Sequence, residues 1–263
     1  MNMILANKNA IIYGGAGDVG GAVAQAFARE GARVFLAGRT LETLESAANE
    51  IRGKGGMADT IQVDANDLQA VEQSLDQVIA TAGRVDISFN AIGHDDVQGQ
   101  PLLTMTQALF AQPVNNAMMT YFNTSTASAR RMTKQKSGVI LAISANAARL
   151  AYPNMGGFGV ACAAIEAFCR QLAIEVGPQG VRVVCLRSAG SPDARGLREV
   201  FTLHAQERGM TLEEFTEQAA SDIPLKHLPT LAEVANAAVF AVSDYASALT
   251  GAVINVTCGQ MMD

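Results

Sequence analysis

The sequence lacks the spacing patterns that mark metal sites and disulfide frameworks. Neither a Cys-x-x-Cys pair nor a histidine cluster beside a cysteine occurs in the chain, which has only three histidines and four cysteines, Cys162, Cys169, Cys185 and Cys258. Free thiols in a reducing cytoplasm are the simplest account of these cysteines. We therefore expect no metal site and a cytoplasmic location.

Long runs of apolar or basic residues are also missing. No apolar stretch approaches the roughly 20 residues that span a bilayer, and the segment from Met1 to Lys8 lacks the charged start and sustained apolar run of a signal peptide. The net charge of −6 and the pI near 5.1 come without any long Lys/Arg run. These properties argue against a membrane or nucleic acid as a partner and leave a small-molecule substrate as the expected one.

The chain is long enough for one large α/β domain or two small ones. Its 263 residues contain no linker-like break, no low-complexity segment and no internal repeat. A hydrophobic content of 49% against 17% charged residues is ordinary for a soluble globular protein. We expect a single domain over residues 1–263.

Strand-like and helix-like patterns alternate along this length, which indicates a parallel sheet covered by helices on both faces. The predicted strands are 10–13, 33–37, 58–63, 85–89, 139–143, 181–186 and 252–256. The predicted helices are 22–29, 41–52, 68–81, much of 104–134, part of 154–176, and 232–242. The predicted fold class is α/β, a single Rossmann-fold domain with a doubly wound, seven-stranded parallel sheet and a crevice at its carboxyl edge.

One segment, at about 190–228, interrupts this alternation. It contains two helical patterns, 197–208 and 212–220, and is bounded by Pro192 and Pro224. A helical pair inserted before the last βα unit is well placed to cover a ligand cleft. We predict that this segment is a helical lid.

A glycine-rich turn follows the first predicted strand and contains Gly14, Gly15, Gly17, Asp18, Val19 and Gly20. It fits the dinucleotide fingerprint G-x-G-x-x-G, and it nearly fits a longer glycine pattern that has glycine in place of Asp18. Glycines let the backbone approach a pyrophosphate, and the positive end of the next helix, near Val19, faces the anion. The turn therefore predicts a nucleotide site, and a tight turn without a ligand is the alternative.

Asp18 complicates this prediction. A carboxylate at a helix start can cap its own helix and occupy the anion position from within the chain. It would also repel a neighbouring pyrophosphate, so we expect nucleotide binding to be weakened or displaced.

The end of the second predicted strand bears on the choice between nicotinamide cofactors. An acidic residue there accepts hydrogen bonds from a ribose 2′-hydroxyl, whereas an arginine pairs with a 2′-phosphate. This chain has Arg39 there and no carboxylate until Glu42. NADP(H) is therefore favoured over NAD(H), unless Arg39 is only a solvated loop charge.

Several short motifs occur in a fixed order along the chain. They are the turn at 14–20, Gly38-Arg39, Val63-Asp64, Asn90-Ala91-Ile92-Gly93, Asn116, Ile143-Ser144, and Leu249-Thr250-Gly251 leading into Asn255-Val256. Together they resemble the classical short-chain dehydrogenase/reductase family over almost the whole chain. The resemblance implies a nicotinamide-binding oxidoreductase that assembles into homodimers or homotetramers through two long helices.

The resemblance also assigns cofactor contacts. Asp64 would accept a hydrogen bond from the adenine amino group, and Asn90 with Gly93 would support the adenosine side. The alternative for Asp64 is a cap for the helix that begins near Asp67, and the alternative for Asn90 is a polar turn residue.

The family's proton-handling groups are replaced. Its enzymes use a serine and a Tyr-x-x-x-Lys pair, in which the lysine lowers the pKa of the tyrosine that passes a proton to a carbonyl. Here the serine falls on Ala145, the tyrosine on Phe158 and the lysine on Cys162, while Asn116 matches the family's asparagine. The usual acid–base mechanism cannot run through a phenyl ring and a neutral thiol.

Other groups near the crevice offer partial substitutes. His94 could donate a proton with Asp95 or Asp96 tuning it, although an exposed loop histidine is the alternative. Tyr152, which precedes a proline, is interpreted as a packing residue of a loop or lid. Arg187 binds either an anionic substrate group or a carboxylate of the lid.

Three hypotheses follow. The chain is an NADP(H)-dependent oxidoreductase with a non-standard proton donor, acting for example on a quinone or an activated alkene. Alternatively it is a catalytically silent nucleotide sensor or partner subunit, or a scaffold in which Asp18 has abolished cofactor binding. The sequence does not identify a substrate. The small apolar face of 158–176 suits either helix pairing between copies or coverage of the sheet.

Overall fold

The structure, a computed structural model, describes residues 3–262. Its strands are β1 (Asn9–Tyr13), β2 (Arg33–Gly38), β3 (Met57–Gln62), β4 (Ile87–Asn90), β5 (Gly138–Ala145), β6 (Val181–Ser188) and β7 (Ala252–Val256). Its α-helices are α1 (Asp18–Arg29), α2 (Leu41–Gly53), α3 (Leu68–Ala82), α4 (Gln107–Gln135), α5 (Phe158–Val176), α6 (Arg195–Glu207), α7 (Leu212–Ser221) and α8 (Leu231–Val242). Each of the first five strands is followed by one α-helix that returns the chain across a face of the sheet.

The strands form one parallel sheet in the order β3-β2-β1-β4-β5-β6-β7. The direction of winding reverses between β1 and β4, and this reversal opens a crevice at their carboxyl ends. Tyr13 at the end of β1 pairs with Ala37 on one side and with Asn90 on the other. The prediction of a Rossmann-fold domain with a doubly wound, seven-stranded parallel sheet is confirmed.

The core lies in two layers, one on each face of the sheet. Along β1, Ala10 and Ile12 pack into the layer beneath α1, α2 and α8, while Ile11 and Tyr13 pack into the layer beneath α3, α4 and α5. A strand buried on both faces reads as a continuous apolar run, which is why β1 was visible in the sequence. The hydroxyl of Tyr13 shares a hydrogen bond of 3.1 Å with Ser74 and is thereby satisfied in the core.

The predicted element bounds agree with the structure to within a few residues, and the largest difference concerns α1. This helix begins at Asp18, whereas the sequence predicted its start at Ala22. Gly20 looks like a turn residue but lies inside the helix. A Cβ atom at this position would stand 2.2 Å from the carbonyl oxygen of Gly14. The close approach of turn and helix, rather than helix propensity, selects glycine at this position.

The apolar face of α5 mainly covers the sheet. Ala161, Ile165 and Leu172 are buried in the same layer as the inward side chains of α4. Phe168 is only partly buried, and its ring lies 6.5 Å from that of Phe122 on α4. Of the two uses predicted for this face, coverage of the sheet accounts for its three most buried residues.

The insertion at 190–228 contains α6 and α7, close to the two helical patterns that the sequence predicted there. The rings of Phe201 and Phe215 join the two helices edge to face at 5.1 Å. A small cluster of Ala189, Ile223 and Leu228 anchors the two ends of the insertion. Among residues 3–262, no helix combines the length and apolar character that crossing a bilayer requires.

Candidate functional site

A cavity of about 330 Å³ lies at the carboxyl ends of β1 to β4, where the winding reverses. Of the residues predicted to bind a cofactor or take part in catalysis, the cavity is lined by Gly14, Gly15, Gly17, Arg39, Asp64, Gly93 and Asn116. Asp18, Val19, Gly20, Asn90 and His94 do not line it. The structure thus brings most of the predicted nucleotide residues to one crevice.

The turn between β1 and α1 has the geometry of an anion cradle. Gly14 has a φ of +77°, and a Cβ there would stand 2.8 Å from the carbonyl oxygen of Ala91, so glycine is required. Gly17 occupies the position before α1, and no side chain caps this helix. The first amide groups of α1 therefore stay open to a phosphate, which fits the pyrophosphate of a dinucleotide.

The expectation that Asp18 caps its own helix is wrong. Its carboxylate accepts hydrogen bonds from the backbone amides of Arg195 at 2.7 Å and Gly196 at 3.4 Å, and it forms an ion pair of 3.1 Å with the Arg195 guanidinium. These groups form the N-terminus of α6, whose own open amides attract a carboxylate. Asp18 therefore leaves the start of α1 uncapped and holds the insertion instead.

Arg39 is exposed at the mouth of the cavity. Its carbonyl oxygen accepts a hydrogen bond from Gln62, while its guanidinium has no hydrogen bond or ion pair with any residue of 3–262. A cation without a partner in the described chain, at the edge of this cavity, is available to a ligand phosphate.

Asp64 and Asn90 differ in how their side chains are used. Asp64 is exposed on the cavity wall and accepts hydrogen bonds from the backbone and side-chain nitrogens of Asn66, at 2.9 and 3.2 Å. The cap of α3 is Asp67, so the capping alternative for Asp64 is wrong. Asn90 is buried, and its side-chain amide bonds within the chain: it donates to the Thr124 hydroxyl and accepts from the backbone amide of Ile92. Asn90 thus shapes the turn that carries Gly93, in keeping with its alternative interpretation.

Phe158 and Cys162 lie one helical turn apart at the start of α5. Cys162 is only 1% exposed, and burial raises the pKa of its thiol to about 12, although a backbone hydrogen bond with Ala145 acts in the opposite direction. At neutral pH Cys162 is therefore a thiol rather than a thiolate. Neither side chain can exchange a proton with a substrate.

His94 is partly buried, not exposed, and its ring is tilted against those of Phe158 and Tyr121. Its centroid lies 5.8 Å from that of Phe158 and 6.5 Å from that of Tyr121. Burial lowers the pKa of His94 from its ordinary value, while Asp96 and Asp95 oppose this shift.

The ring nitrogens of His94 have no hydrogen-bond partner among residues 3–262. In that range, every side-chain nitrogen or oxygen that is fully buried has a hydrogen-bond partner, so the His94 nitrogens are not fully buried. The ring nitrogens are therefore accessible to solvent or to a ligand. The side-chain amide of Asn116 donates to the carbonyl oxygen of His94 and to the Asp95 carboxylate, both at 3.3 Å. Asn116 thus fixes the backbone that carries the His94 ring.

Arg187, near the end of β6, has a carboxylate partner on α5. It is 3% exposed and forms a bidentate ion pair with Glu166 of α5, with both nitrogen–oxygen distances at 2.7 Å. The hydroxyl of Ser144 donates to the same carboxylate at 2.8 Å. An arginine inside an apolar strand requires a buried carboxylate, and this was the sequence signal for the overlooked Glu166.

A second polar group that the sequence did not predict surrounds Tyr152. Its hydroxyl accepts hydrogen bonds from the side-chain amides of Asn146 at 2.9 Å and Gln260 at 3.3 Å. These two amides also bond to each other at 2.6 Å. Tyr152 therefore links the loop after β5 to the turn after β7, and it is a hydrogen-bonded residue as well as a loop packing residue.

A sequence model described as enoyl-(acyl carrier protein) reductase matches residues 14–260. The chain is 28% identical over 260 residues to the 3-oxoacyl-[acyl-carrier-protein] reductase of Chlamydia muridarum, covering 98% of this chain and 99% of that protein. It is 27% identical to the peroxisomal 2,4-dienoyl-CoA reductase of Saccharomyces cerevisiae, covering 96% and 83%. An uncharacterized oxidoreductase of Bacillus subtilis is 30% identical, with 98% and 92% covered.

Solved structures show the same fold. A 7α-hydroxysteroid dehydrogenase complexed with NADH and 7-oxo glycochenodeoxycholic acid superimposes with a TM-score of 0.86 at 27% identity, covering 100% of this chain and 97% of that one. An NAD⁺-bound xylitol dehydrogenase has a TM-score of 0.91 at 24% identity, with 97% and 99% covered, and shows the likeness of fold alone. With its crevice, glycine turn and full-length matches, the chain belongs to the short-chain dehydrogenase/reductase family of NAD(P)-dependent oxidoreductases.

Proposed function

We propose that this protein binds NADP(H) and transfers a hydride to or from a small organic substrate without the family's usual tyrosine–lysine pair. The observation that carries the cofactor half is the pairing of an uncapped α1 N-terminus with the unpartnered Arg39 guanidinium on one cavity. Two separate anion-binding groups suit a ligand that has both a pyrophosphate and a 2′-phosphate.

The cofactor selectivity depends on Arg39. A carboxylate at the end of β2 would accept the ribose hydroxyls of NAD(H) and repel a 2′-phosphate, but the chain has Arg39 and then Thr40 there. Thr40 also lines the cavity and precedes α2. These neighbours favour the phosphorylated nucleotide.

A bound nicotinamide nucleotide supplies or takes up the hydride. Among the chain's own groups, we assign the proton to His94, because its ring lies against Phe158 and its nitrogens have no partner in the described chain. Asn116 acts as a positioning residue through the His94 carbonyl oxygen. Because burial lowers the pKa of His94, the imidazole is mostly neutral at pH 7, so in the reducing direction only a small fraction carries the proton to be donated.

Because little protonated His94 is available, the site suits a substrate whose reduction needs little acid assistance, and we propose an activated alkene or a quinone. Hydride addition to an alkene conjugated with a carbonyl gives an enolate, in which the carbonyl already delocalises the negative charge. A simple ketone would instead form an alkoxide and need the proton at once. The family description as an enoyl reductase and the dienoyl-CoA reductase among the relatives support the alkene.

The test joins binding to turnover. Calorimetry should detect NADPH binding tighter than NADH binding, and NADPH oxidation should be measured with matched panels of enoyl thioesters, enones, quinones and ketones. Turnover of alkenes or quinones supports the proposal. Folded protein that binds neither nucleotide would overturn it and would favour a scaffold without cofactor.

A second candidate is a nucleotide-binding protein without turnover. It is favoured by the replacement of the family's tyrosine and lysine with Phe158 and the protonated thiol Cys162, and by the Glu166 carboxylate, which engages both Ser144 and Arg187. A triple variant, Phe158→Tyr with Cys162→Lys and Ala145→Ser, separates the two candidates. If the wild type is inactive and the triple variant reduces ketones, the cleft is competent and only proton transfer is missing.

We also propose that the protein forms a homodimer or homotetramer in a reducing, cytoplasmic environment. Exposed apolar side chains lie on both long helices, with Met119 and Phe122 on α4 and Val160 and Ile174 on α5. Burying them against a second copy would remove apolar surface from water. Light scattering on the purified chain tests the assembly, and a monomer at micromolar concentration would contradict it.

A further inference from the structure

Three side chains with metal-ligating atoms converge at the end of the insertion, outside the nucleotide crevice. His227 lies in the loop after α7, Glu233 in the first turn of α8, and Cys258 in the turn after β7. The His227 Nδ1 atom is 3.7 Å from the Cys258 Sγ and 3.8 Å from the Glu233 Oε2. All three potential ligand atoms lie within 4.8 Å of one another.

These separations are close to those of a tetrahedral zinc site. With Zn–S bonds of about 2.3 Å and Zn–N and Zn–O bonds of about 2.0–2.1 Å, tetrahedral ligands place sulfur about 3.5 Å from nitrogen and nitrogen about 3.4 Å from oxygen. The two distances from Nδ1 exceed these values by only a few tenths of an ångström, and the sulfur and the carboxylate oxygen lie within 4.8 Å of each other. Side-chain rotations would bring all three atoms to bonding distance of one ion.

The arrangement does not suit a proton relay of the thiol–histidine–carboxylate type. In such a relay the nucleophile meets one ring nitrogen and the acid meets the other. Here Cys258 and Glu233 both approach Nδ1. The three ligand atoms therefore face one another and can surround a single ion.

The backbone holds two of the ligands in place before any ion binds. Glu233 accepts hydrogen bonds from the amide and hydroxyl of Thr230 in the capping box of α8. The carbonyl oxygen of Cys258 accepts from the amide of Leu225, and Cys258 has a left-handed φ of +54° that few non-glycine residues adopt. An uncommon backbone conformation that holds a thiol next to a histidine is consistent with a binding role for that thiol.

We propose that His227, Glu233 and Cys258 form a binding site for a borderline-soft divalent ion such as Zn²⁺, with solvent in the fourth position. A nitrogen, sulfur and oxygen ligand set favours Zn²⁺ over Mg²⁺, which prefers oxygen alone. The bound ion would join the end of the insertion, the start of α8 and the C-terminal turn. Because the ion would bond to a residue of each segment, it acts as a clamp on the base of the insertion.

Binding requires two proton changes. The Cys258 thiol must give up its proton, and its pKa is raised by burial and by Glu233, so one proton is released to solvent when the thiolate bonds to the metal. The Nδ1 atom of His227 lies 3.0 Å from the carbonyl oxygen of Leu228, so a proton there must move to Nε2. Zinc affinity should therefore fall as the pH is lowered.

The expectation of no metal site rested on spacing along the chain. His227 and Cys258 are 31 residues apart and have no short motif in common, so only the folded chain brings them together. The site is independent of the proposed oxidoreductase function, and its test does not depend on activity.

The test uses Co²⁺ and Zn²⁺ with the full chain after chelator treatment. Co²⁺ should produce a thiolate charge-transfer band and tetrahedral visible bands at one equivalent, and Zn²⁺ should abolish them. Cys258 is the one cysteine of the four that is not buried. Zn²⁺ should therefore slow its alkylation in the native protein at least tenfold, and Mg²⁺ should not.

Matched variants locate the site. Cys258→Ser should abolish the charge-transfer band, and His227→Gln should weaken Zn²⁺ binding at least tenfold. His204→Gln is the control, because His204 also lies beside a glutamate, Glu207, but has no thiol near it. Absence of the band together with unprotected alkylation in the wild type would overturn the proposal, as would a band that survives Cys258→Ser. The wild-type alkylation experiment holds even if a variant fails to fold.

Discussion

The Asp18 carboxylate, at the first position of α1, caps a different helix that begins 177 residues later at Arg195. The turn that is open to a pyrophosphate is therefore bonded directly to the insertion at 190–228. An anion bound at that turn would compete electrostatically with Asp18 for the same positive surroundings. Nucleotide binding and the position of α6 should consequently be coupled.

We predict that Asp18→Ala loosens α6. The helix loses its capping carboxylate, which is worth about 1 kcal/mol, while the ion pair adds little because Arg195 is 81% exposed. Amide hydrogen exchange over residues 195–207 should accelerate. NADPH binding should tighten by a factor on the order of 3–10, because a negative charge near the phosphate is removed.

Asp193→Ala is the matched control, since Asp193 caps the start of α8 by accepting from Leu231. It should leave exchange in α6 and NADPH affinity nearly unchanged. Equal exchange rates in α6 for the wild type and Asp18→Ala would contradict the coupling.

Arg39→Ala should discriminate between the two nicotinamide nucleotides. Loss of a charge-assisted pair with the 2′-phosphate should weaken NADPH binding by about 1–3 kcal/mol, with NADH affinity nearly constant. Calorimetry with both nucleotides measures the difference. Arg29→Ala, at the opposite end of α1, is the control, and parallel weakening of NADPH and NADH by Arg39→Ala would remove the 2′-phosphate assignment.

If His94 donates the proton, the rate of the reducing reaction should depend on pH in the acidic range. Because burial lowers the pKa of His94, the protonated donor becomes abundant only below about pH 6.5, and kcat/KM for reduction should rise as the pH falls through that range. His94→Gln should remove this pH dependence and slow the reaction by about 10²-fold or more. An unchanged pH profile in His94→Gln, measured beside His204→Gln, would show that another group moves the proton.

Breaking the Glu166–Arg187 ion pair should destabilise the protein, whereas replacing both partners with apolar residues should change the free energy of unfolding much less. Glu166→Gln removes the carboxylate that bonds to two nitrogens of the buried Arg187 guanidinium, so the free energy of unfolding should fall by up to about 3–5 kcal/mol. The double variant Glu166→Leu with Arg187→Met should recover most of this loss because both charges of the pair are removed. Urea denaturation measures both, and a double variant no more stable than Glu166→Gln would contradict this account.

The order of strands and helices could be predicted because most of the strands carry an apolar run of their own. Ile11 and Ile12 of β1, for example, face opposite layers, and the run that contains them is visible without any knowledge of its neighbours. The glycine turn and Arg39 could also be located, since both follow directly from short stretches of chain.

The side-chain pairs could not be predicted, because they join residues that are far apart in sequence. Asp18 was expected to cap α1, which starts beside it, but the N-terminus of α6 is a stronger competitor once the insertion folds over the turn. The alternative of an exposed loop histidine was wrong for His94, because its ring packs near Phe158 on a helix far along the chain. Each correction depends on which segments meet in space.

The strand order also sets when each part of the protein can assemble during synthesis. β1 lies between β2 and β4, so the strands that flank the crevice have all been made once the ribosome has passed residue 90, and Asn116, which also lines it, follows soon after. β7 joins the outer edge of the sheet much later in synthesis, and Cys258 follows it. The walls of the crevice are therefore made well before the segments that meet at the base of the insertion.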